Sequence, residues 1–266
     1  MRARLLLSLF VLAFAGCDRL TTRFVQDAGP DSPAGKWEQV DAGAVNYNAV
    51  AGSSPDNVMV VGDQGTILHW NGTALLREES GTAANLRGVT VVDETLSYAV
   101  GEQGTVLRRQ DSVWVADPPL TTAVLNGVCA SATWAVAVGE QGTVLIAKQG
   151  VWTLAANNRT DNYYSVTDTS AGALVVGSMG VMVQPDVVKG TLPTAIPPHT
   201  KQFKVIAGAI RGGGGAYLVG LDGTVYEWTA GAAKRLDVVQ SGSAEVHLTP
   251  QKFLRAVSVL DGKAWI

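Results

Sequence analysis

Apolar residues along this chain come in short runs of four to six, each closed by a glycine turn, and the runs return at a fixed spacing. The sharpest copy is Val61-Gly62-Asp63-Gln64-Gly65-Thr66-Ile67-Leu68. It returns as Val100-Gly101-Glu102-Gln103-Gly104-Thr105-Val106-Leu107 and as Val138-Gly139-Glu140-Gln141-Gly142-Thr143-Val144-Leu145. Two degenerate copies begin at Val176-Gly177 and Val219-Gly220. The first glycines stand at 62, 101, 139, 177 and 220, a period of 38 to 43 residues. Strand-length runs at that period predict a ring of repeated β-sheets, a β-propeller, one sheet (blade) per repeat.

Each unit can be written strand by strand. An inner strand opens it with a large apolar residue, a polar residue, a small residue, Val or Ile, and a small residue. The copies begin at Tyr47, Leu86, Leu125, Tyr163, Phe203 and Leu254. Small side chains suit the strand nearest the axis, where the sheets converge. A second apolar strand runs into the first glycine, and the Gly-x-x-Gly turn reverses the chain into a third. Glycine permits the positive φ that tight hairpins require. Trp114 and Trp152 mark a more variable fourth strand. Six inner-strand patterns predict six blades. The sixth unit has two strands, and Gly35 to Val40, with Trp37, resembles a fourth strand. Two readings follow: a last blade closed by N- and C-terminal strands, which removes exposed sheet edges, or an open ring lacking half a blade.

The N-terminus carries different chemistry. Arg2 and Arg4 precede an apolar run from Leu5 to Ala15, broken only by Ser8. That run is too short for a bilayer core, which needs about 20 residues, and reads as a secretory signal over residues 1–16. It ends Phe14-Ala15-Gly16-Cys17, which resembles the lipobox of bacterial lipoproteins. The resemblance implies cleavage before Cys17 and its lipidation. Residues 17–35 hold the lipidated Cys17 and a linker containing Gly29-Pro30-Asp31-Ser32-Pro33, and residues 36–266 form the propeller. The expected location is the cell envelope, lipid-anchored to the inner or outer membrane and facing the periplasm or cell surface.

Charge narrows the partner. The chain has 20 Lys+Arg and 23 Asp+Glu, net −3, and losing the signal makes it more acidic. That balance provides no footprint for nucleic acid. With Cys17 lipidated, Cys129 has no cysteine to pair with, so the fold must hold by packing.

The repeat around Gly62 to Gly72 is similar to the blades of the photosystem II stability/assembly-factor-like propellers, and more loosely to the Asp-box repeats of sialidase-type propellers. The first resemblance implies a non-catalytic, protein-binding or assembly scaffold with no cofactor, and it brings over no functional residues. The alternative is a carbohydrate-binding or glycoside-degrading, sialidase-like propeller. Aromatics grouped on one exposed rim would favour that alternative.

Catalytic candidates are few. Cys129 shares a column with Ala51, Thr90, Thr167, Ala207 and Ser258, so it reads as one small residue among equivalents. His69, His199 and His247 show no metal-ligand spacing. Asp63, Glu102 and Glu140 occupy one turn in successive blades and should be spread around the ring, whereas a glycosidase needs two carboxyls within about 5 to 9.5 Å. No catalytic residue or metal site is expected.

The best binding candidate is the second inner-strand position: Asn48, Arg87, Asn126, Tyr164, Lys204 and Arg255. It should lie near one mouth of the central channel, where Arg87, Lys204 and Arg255 could receive an acidic group of a protein partner. The competing reading is a set of solvated strand ends.

Overall fold

The computed structural model describes residues 45–169, 172–178, 181–192, 205–211, 215–220, 225–229, 232–236, 258–260 and 263–265. The signal, Cys17, the linker, Lys204 and Arg255 lie outside the described residues.

Each repeat folds into an antiparallel sheet in chain order. Blade 1 is β1 (Tyr47–Ser54), β2 (Asn57–Gly62), β3 (Ile67–Trp70) and β4 (Leu75–Glu78). Blade 2 is β5 (Leu86–Val91), β6 (Leu96–Gly101), β7 (Val106–Gln110) and β8 (Val113–Ala116). Blade 3 is β9 (Leu125–Ala130), β10 (Trp134–Gly139), β11 (Val144–Lys148) and β12 (Val151–Leu154). A three-stranded sheet follows, β13 (Tyr163–Thr169), β14 (Gly172–Gly177) and β15 (Met182–Val183). Then come four strands, β16 (Val205–Arg211), β17 (Gly215–Gly220), β18 (Val225–Thr229) and β19 (Ala232–Leu236), and the pair β20 (Ser258–Leu260) and β21 (Lys263–Trp265). The first strands stand side by side in the order β1, β5, β9, β13, β16, β20.

The fold is therefore all-β and blade-like, but four sheets among the described residues are complete, not the six expected. Local chemistry explains one shortfall. Pro185 has no N–H to donate to a ladder and follows β15 by two residues. The chain instead turns over Asp186–Thr191, where the Asp186 carboxylate accepts the N–H groups of Val188 and Lys189.

The core lies between blades. The second strands are buried on both faces, so alternate residues serve different neighbours. In β10, Ala135 and Ala137 pack with Tyr98, Val100 and Trp152, while Val136 and Val138 pack with Tyr163, Val166 and Val175. This is why these strands read as continuous apolar runs. The fourth strands of blades 2 and 3 bury one residue each, Trp114 and Trp152, 7% and 8% exposed. Each tryptophan packs back onto the preceding blade, Trp114 against Met59, Val61 and Ile67, and Trp152 edge-on to Tyr98.

Candidate functional site

The rim that carries the Gly-x-x-Gly turns gathers most of the repeated polar chemistry. Both glycines are required there, for different reasons. Gly62 has extended backbone, φ −160°, which any residue adopts. What excludes a side chain is proximity: a Cβ at Gly62 would lie 2.2 Å from the Asn46 carbonyl oxygen. That carbonyl accepts the N–H of Asp63 at 2.9 Å, closing the turn onto its own inner strand. Gly65 has φ +66°, and a Cβ there would lie 1.9 Å from Thr82 O in the segment leading to blade 2. Its N–H donates to Ala84 O at 2.9 Å in that same segment. The pattern repeats at Gly104 N to Ala123 O (3.0 Å) and Gly142 N to Asp161 O (2.7 Å). Each turn is thus fastened to its own blade by the first glycine and to the next blade by the second. The left-handed position expected of glycine is shared with glutamine, since Gln64, Gln103 and Gln141 have φ 56°, 58° and 55°.

The candidate binding column falls on this rim. Asn48, Arg87, Asn126 and Tyr164 each sit where two inner-strand residues oppose one step of the second strand. A bulge of this kind re-aims the side chain of the extra residue. The asparagines turn toward the next blade. Asn48 Nδ2 donates to Leu86 O at 2.8 Å, and Asn126 Nδ2 donates to Tyr163 O at 2.9 Å. Arg87 pairs with Glu102 of its own blade. Tyr164 is 38% exposed. In the fifth copy, Val205 pairs with Gly220 and Ala207 with Val219, so Ile206 and not Lys204 occupies the bulge position. The apolar run from Val205 to Ile210 carries no polar landmark, so the sequence alone does not fix its register. Of the three cations expected to cluster, Arg87 is the one among the described residues, and it is paired with Glu102; Lys204 and Arg255 lie outside the described residues.

The turn carboxylates are spread over successive blades, as their spacing implied. Asp63 accepts from Asn46 (2.8 Å) and Asn48 (2.9 Å), and Glu102 accepts from Asn85 (3.3 Å) as well as Arg87. Cys129 is buried on β9, where burial first and the Asp168 charge second push its thiol far above the usual range. A buried thiol so disposed is not a nucleophile.

A second polar centre, between blades 1 and 2, is not apparent from sequence spacing. Glu78 of β4 accepts two parallel hydrogen bonds from Arg109 of β7, both 2.9 Å, and one from the indole of Trp114 at 2.7 Å. His69 places Nδ1 3.0 Å from Glu78 and Nε2 3.0 Å from the Asn57 side-chain oxygen. Burial raises the Glu78 carboxyl, but the hydrogen bonds of Arg109 and Trp114 and the charges of Arg109 and His69 outweigh it and hold the pKa below the ordinary value. The motif recurs one blade on, where the Trp152 indole donates to Asp117 at 3.0 Å. These groups lock blades together, with Arg109 only 2% exposed.

Against known proteins, no family model matches the chain and no curated protein matches it. Solved structures do. A streptogramin B lyase is similar with TM-score 0.68 at 11% identity, over 82% of this chain and 75% of that one. U3-55K is similar with TM-score 0.63 at 13% identity, over 80% and 70%. YCF48 bound to a D1 peptide is similar with TM-score 0.53 at 13% identity, over 70% and 64%. The chain has the β-propeller fold. At these identities the likeness is one of fold, and the propeller's activity is not carried by it. Within the propeller, Asn48 and Asn126 join neighbouring blades, whereas Asp63, Glu102 and Arg87 are paired within their own.

Proposed function

We propose that this propeller is a membrane-tethered, non-catalytic scaffold of the cell envelope that binds a protein partner. The observation that carries the reading is the character of the exposed apolar surface. Among the described residues the large exposed apolar side chains are aliphatic, such as Val113, Val115, Val151 and Leu154, with Tyr164 the one aromatic. The grouped aromatic rim that a sugar-binding propeller would offer is not seen among the described residues, and the exposed aliphatic residues of the fourth strands of blades 2 and 3 supply non-polar area that a polypeptide can cover. The solved YCF48 propeller carries a bound peptide, so the architecture can present a protein ligand. Tethering rests on Arg2, Arg4, the apolar run and Ala15-Gly16-Cys17. A lipid chain on Cys17 would hold the propeller one linker length from the bilayer.

The test is fractionation followed by capture. In its native envelope the protein should sediment with membranes and resist a carbonate wash, and Cys17→Ser should release it. Cross-linking on intact cells should then yield a defined protein partner with wild type. Membrane retention of Cys17→Ser refutes the anchor, and the absence of any stoichiometric protein partner refutes the scaffold.

A further inference from the structure

The outside of the ring changes where the sheet after blade 3 loses its fourth strand. In blades 2 and 3 that strand covers the blade before it, through Trp114 and Trp152. After β15 the chain folds instead into the Asp186–Thr191 turn, and Val187 and Leu192 on either side of it pack against the core shared with blade 3. A turn covers less than a strand. Between it and the β11–β12 hairpin lies an open cleft of about 290 Å³, lined by Lys148, Val151, Thr153, Lys189 and Gly190.

Register and contacts bring these residues together. Lys148 and Val151 are cross-strand partners at the end of the hairpin, so their side chains share a face, the one away from Trp152. Lys148 Nζ donates to Val188 O in the turn, and a Cβ on Gly190 would lie 3.9 Å from the same nitrogen. The ammonium therefore crosses the cleft and rests on the turn backbone. Lys189 enters from the turn side, with Nζ 3.3 Å from Asp186 Oδ2. Both cations keep capacity for a ligand. Lys148 has no carboxylate partner among the described residues, and its bond to a carbonyl leaves two N–H donors. The Lys189–Asp186 pair is exposed on both sides, a kind of pair that water holds only weakly together. Val188 and Val151, 79% and 68% exposed, flank the two lysines and are the most open large apolar side chains among the described residues.

We propose that this cleft receives an aspartate or glutamate side chain of the protein partner, its carboxylate between the Lys148 and Lys189 ammonium groups and its apolar neighbours over Val151 and Val188. Two ammonium groups give charge-assisted hydrogen bonds from both walls of the cleft. The valines supply area that an apolar stretch of the partner can cover. Charge adds selectivity: the chain is net −3, so an acidic segment is repelled by the molecule at large and drawn to a cationic cleft. The site rests on the protein-binding reading and gives that partner its chemistry.

The probe is N-acetyl-glutamate amide, titrated into the purified full-length protein and followed by amide chemical shifts, with N-acetyl-glutamine amide as the neutral counterpart. The glutamate probe should saturate shifts at Lys148, Val151, Lys189 and Gly190, while the glutamine probe should not. Lys148→Gln and Lys189→Gln should each weaken the glutamate probe by about threefold or more, and Lys148→Arg should retain it. Lys234→Gln, an exposed lysine on β19, should leave it unchanged. Both cleft lysines are exposed, so their Gln variants should melt with wild type, which separates lost binding from lost fold. Failure of the glutamate probe to saturate these shifts, equal binding of the glutamine probe, or wild-type binding by both Gln variants overturns the site. Saturation of the same amides by short-chain phosphatidylglycerol but not by the glutamate probe would make the cleft a lipid headgroup site and overturn the assignment to a protein carboxylate. Each of these results leaves the scaffold reading standing, because cross-linked partner capture decides that question separately.

Discussion

Glu78 shows how one residue's protonation bears on the ring. Its carboxylate is paired to a nearly inaccessible guanidinium and sits between two blades. Removing one member of such a pair leaves the other buried and uncompensated, at about 3–5 kcal/mol. Glu78→Gln should therefore destabilise the propeller by roughly that amount at pH 7. The carboxyl's pKa is lower folded than unfolded. Its contribution is complete above the unfolded value, about 4.3, and disappears as pH falls through the folded value. Denaturant unfolding of both proteins from pH 7 to pH 3 should show the gap narrowing below about pH 4. A gap independent of pH would mean that the charge on Glu78 is irrelevant and only its shape counts. Nothing in the local sequence marks this pair, because Glu78 and Arg109 meet only once two blades are side by side.

At the scale of elements, the Gly-x-x-Gly turn acts as a fastener between neighbouring blades rather than only a reversal. Two glycines with nearly equal φ separate these roles. Gly65 (+66°) has Thr82 O 1.9 Å from a would-be Cβ, whereas Gly81 (+72°) has nothing within 4 Å. Gly81→Ala should cost about 1 kcal/mol, the strain of left-handed backbone alone. Gly65→Ala adds a clash with a carbonyl that cannot move without opening the contact to blade 2, and should cost at least about 3 kcal/mol. Urea midpoints of the two variants measure the difference, and equal midpoints would reduce the turn to an ordinary hairpin. The turn's repetition is plain in the sequence, but its attachment to the next blade is not, since the acceptors at Ala84, Ala123 and Asp161 are backbone carbonyls of loops with little in common.

For the whole molecule, the unsettled flank is that of blade 1. Trp114 and Trp152 are buried against the blade before them, but Leu75, at the same register position of β4, is only partly buried. A preceding strand would cover it, and Gly35 to Val40 has the sequence of a fourth strand. If residues 18–40 cover that flank, deleting them should lower the melting temperature of the entire propeller by several degrees and move its single transition as a unit. A deletion that melts with wild type would show that blade 1 ends the packed structure without them.

Several features follow from the chain alone. The 38-to-43-residue spacing, the buried second strands and the tryptophan-bearing fourth strands announce an all-β ring, because burial on both faces demands unbroken apolar runs and turns demand glycine. Inner strands were legible at Tyr47, Leu86, Leu125 and Tyr163, where a large apolar residue precedes a polar one. They were misread by two residues at Phe203, where uniform apolar sequence sets no register. Only tertiary structure decided which polar residues are free. Asn48 and Asn126 look alike in sequence, yet one closes a carboxylate and both reach into the next blade. Hydrogen-bond partners 37 or 38 residues away exist only after blades pack, so whether a rim residue is spent on the fold or left for a ligand is settled by that packing.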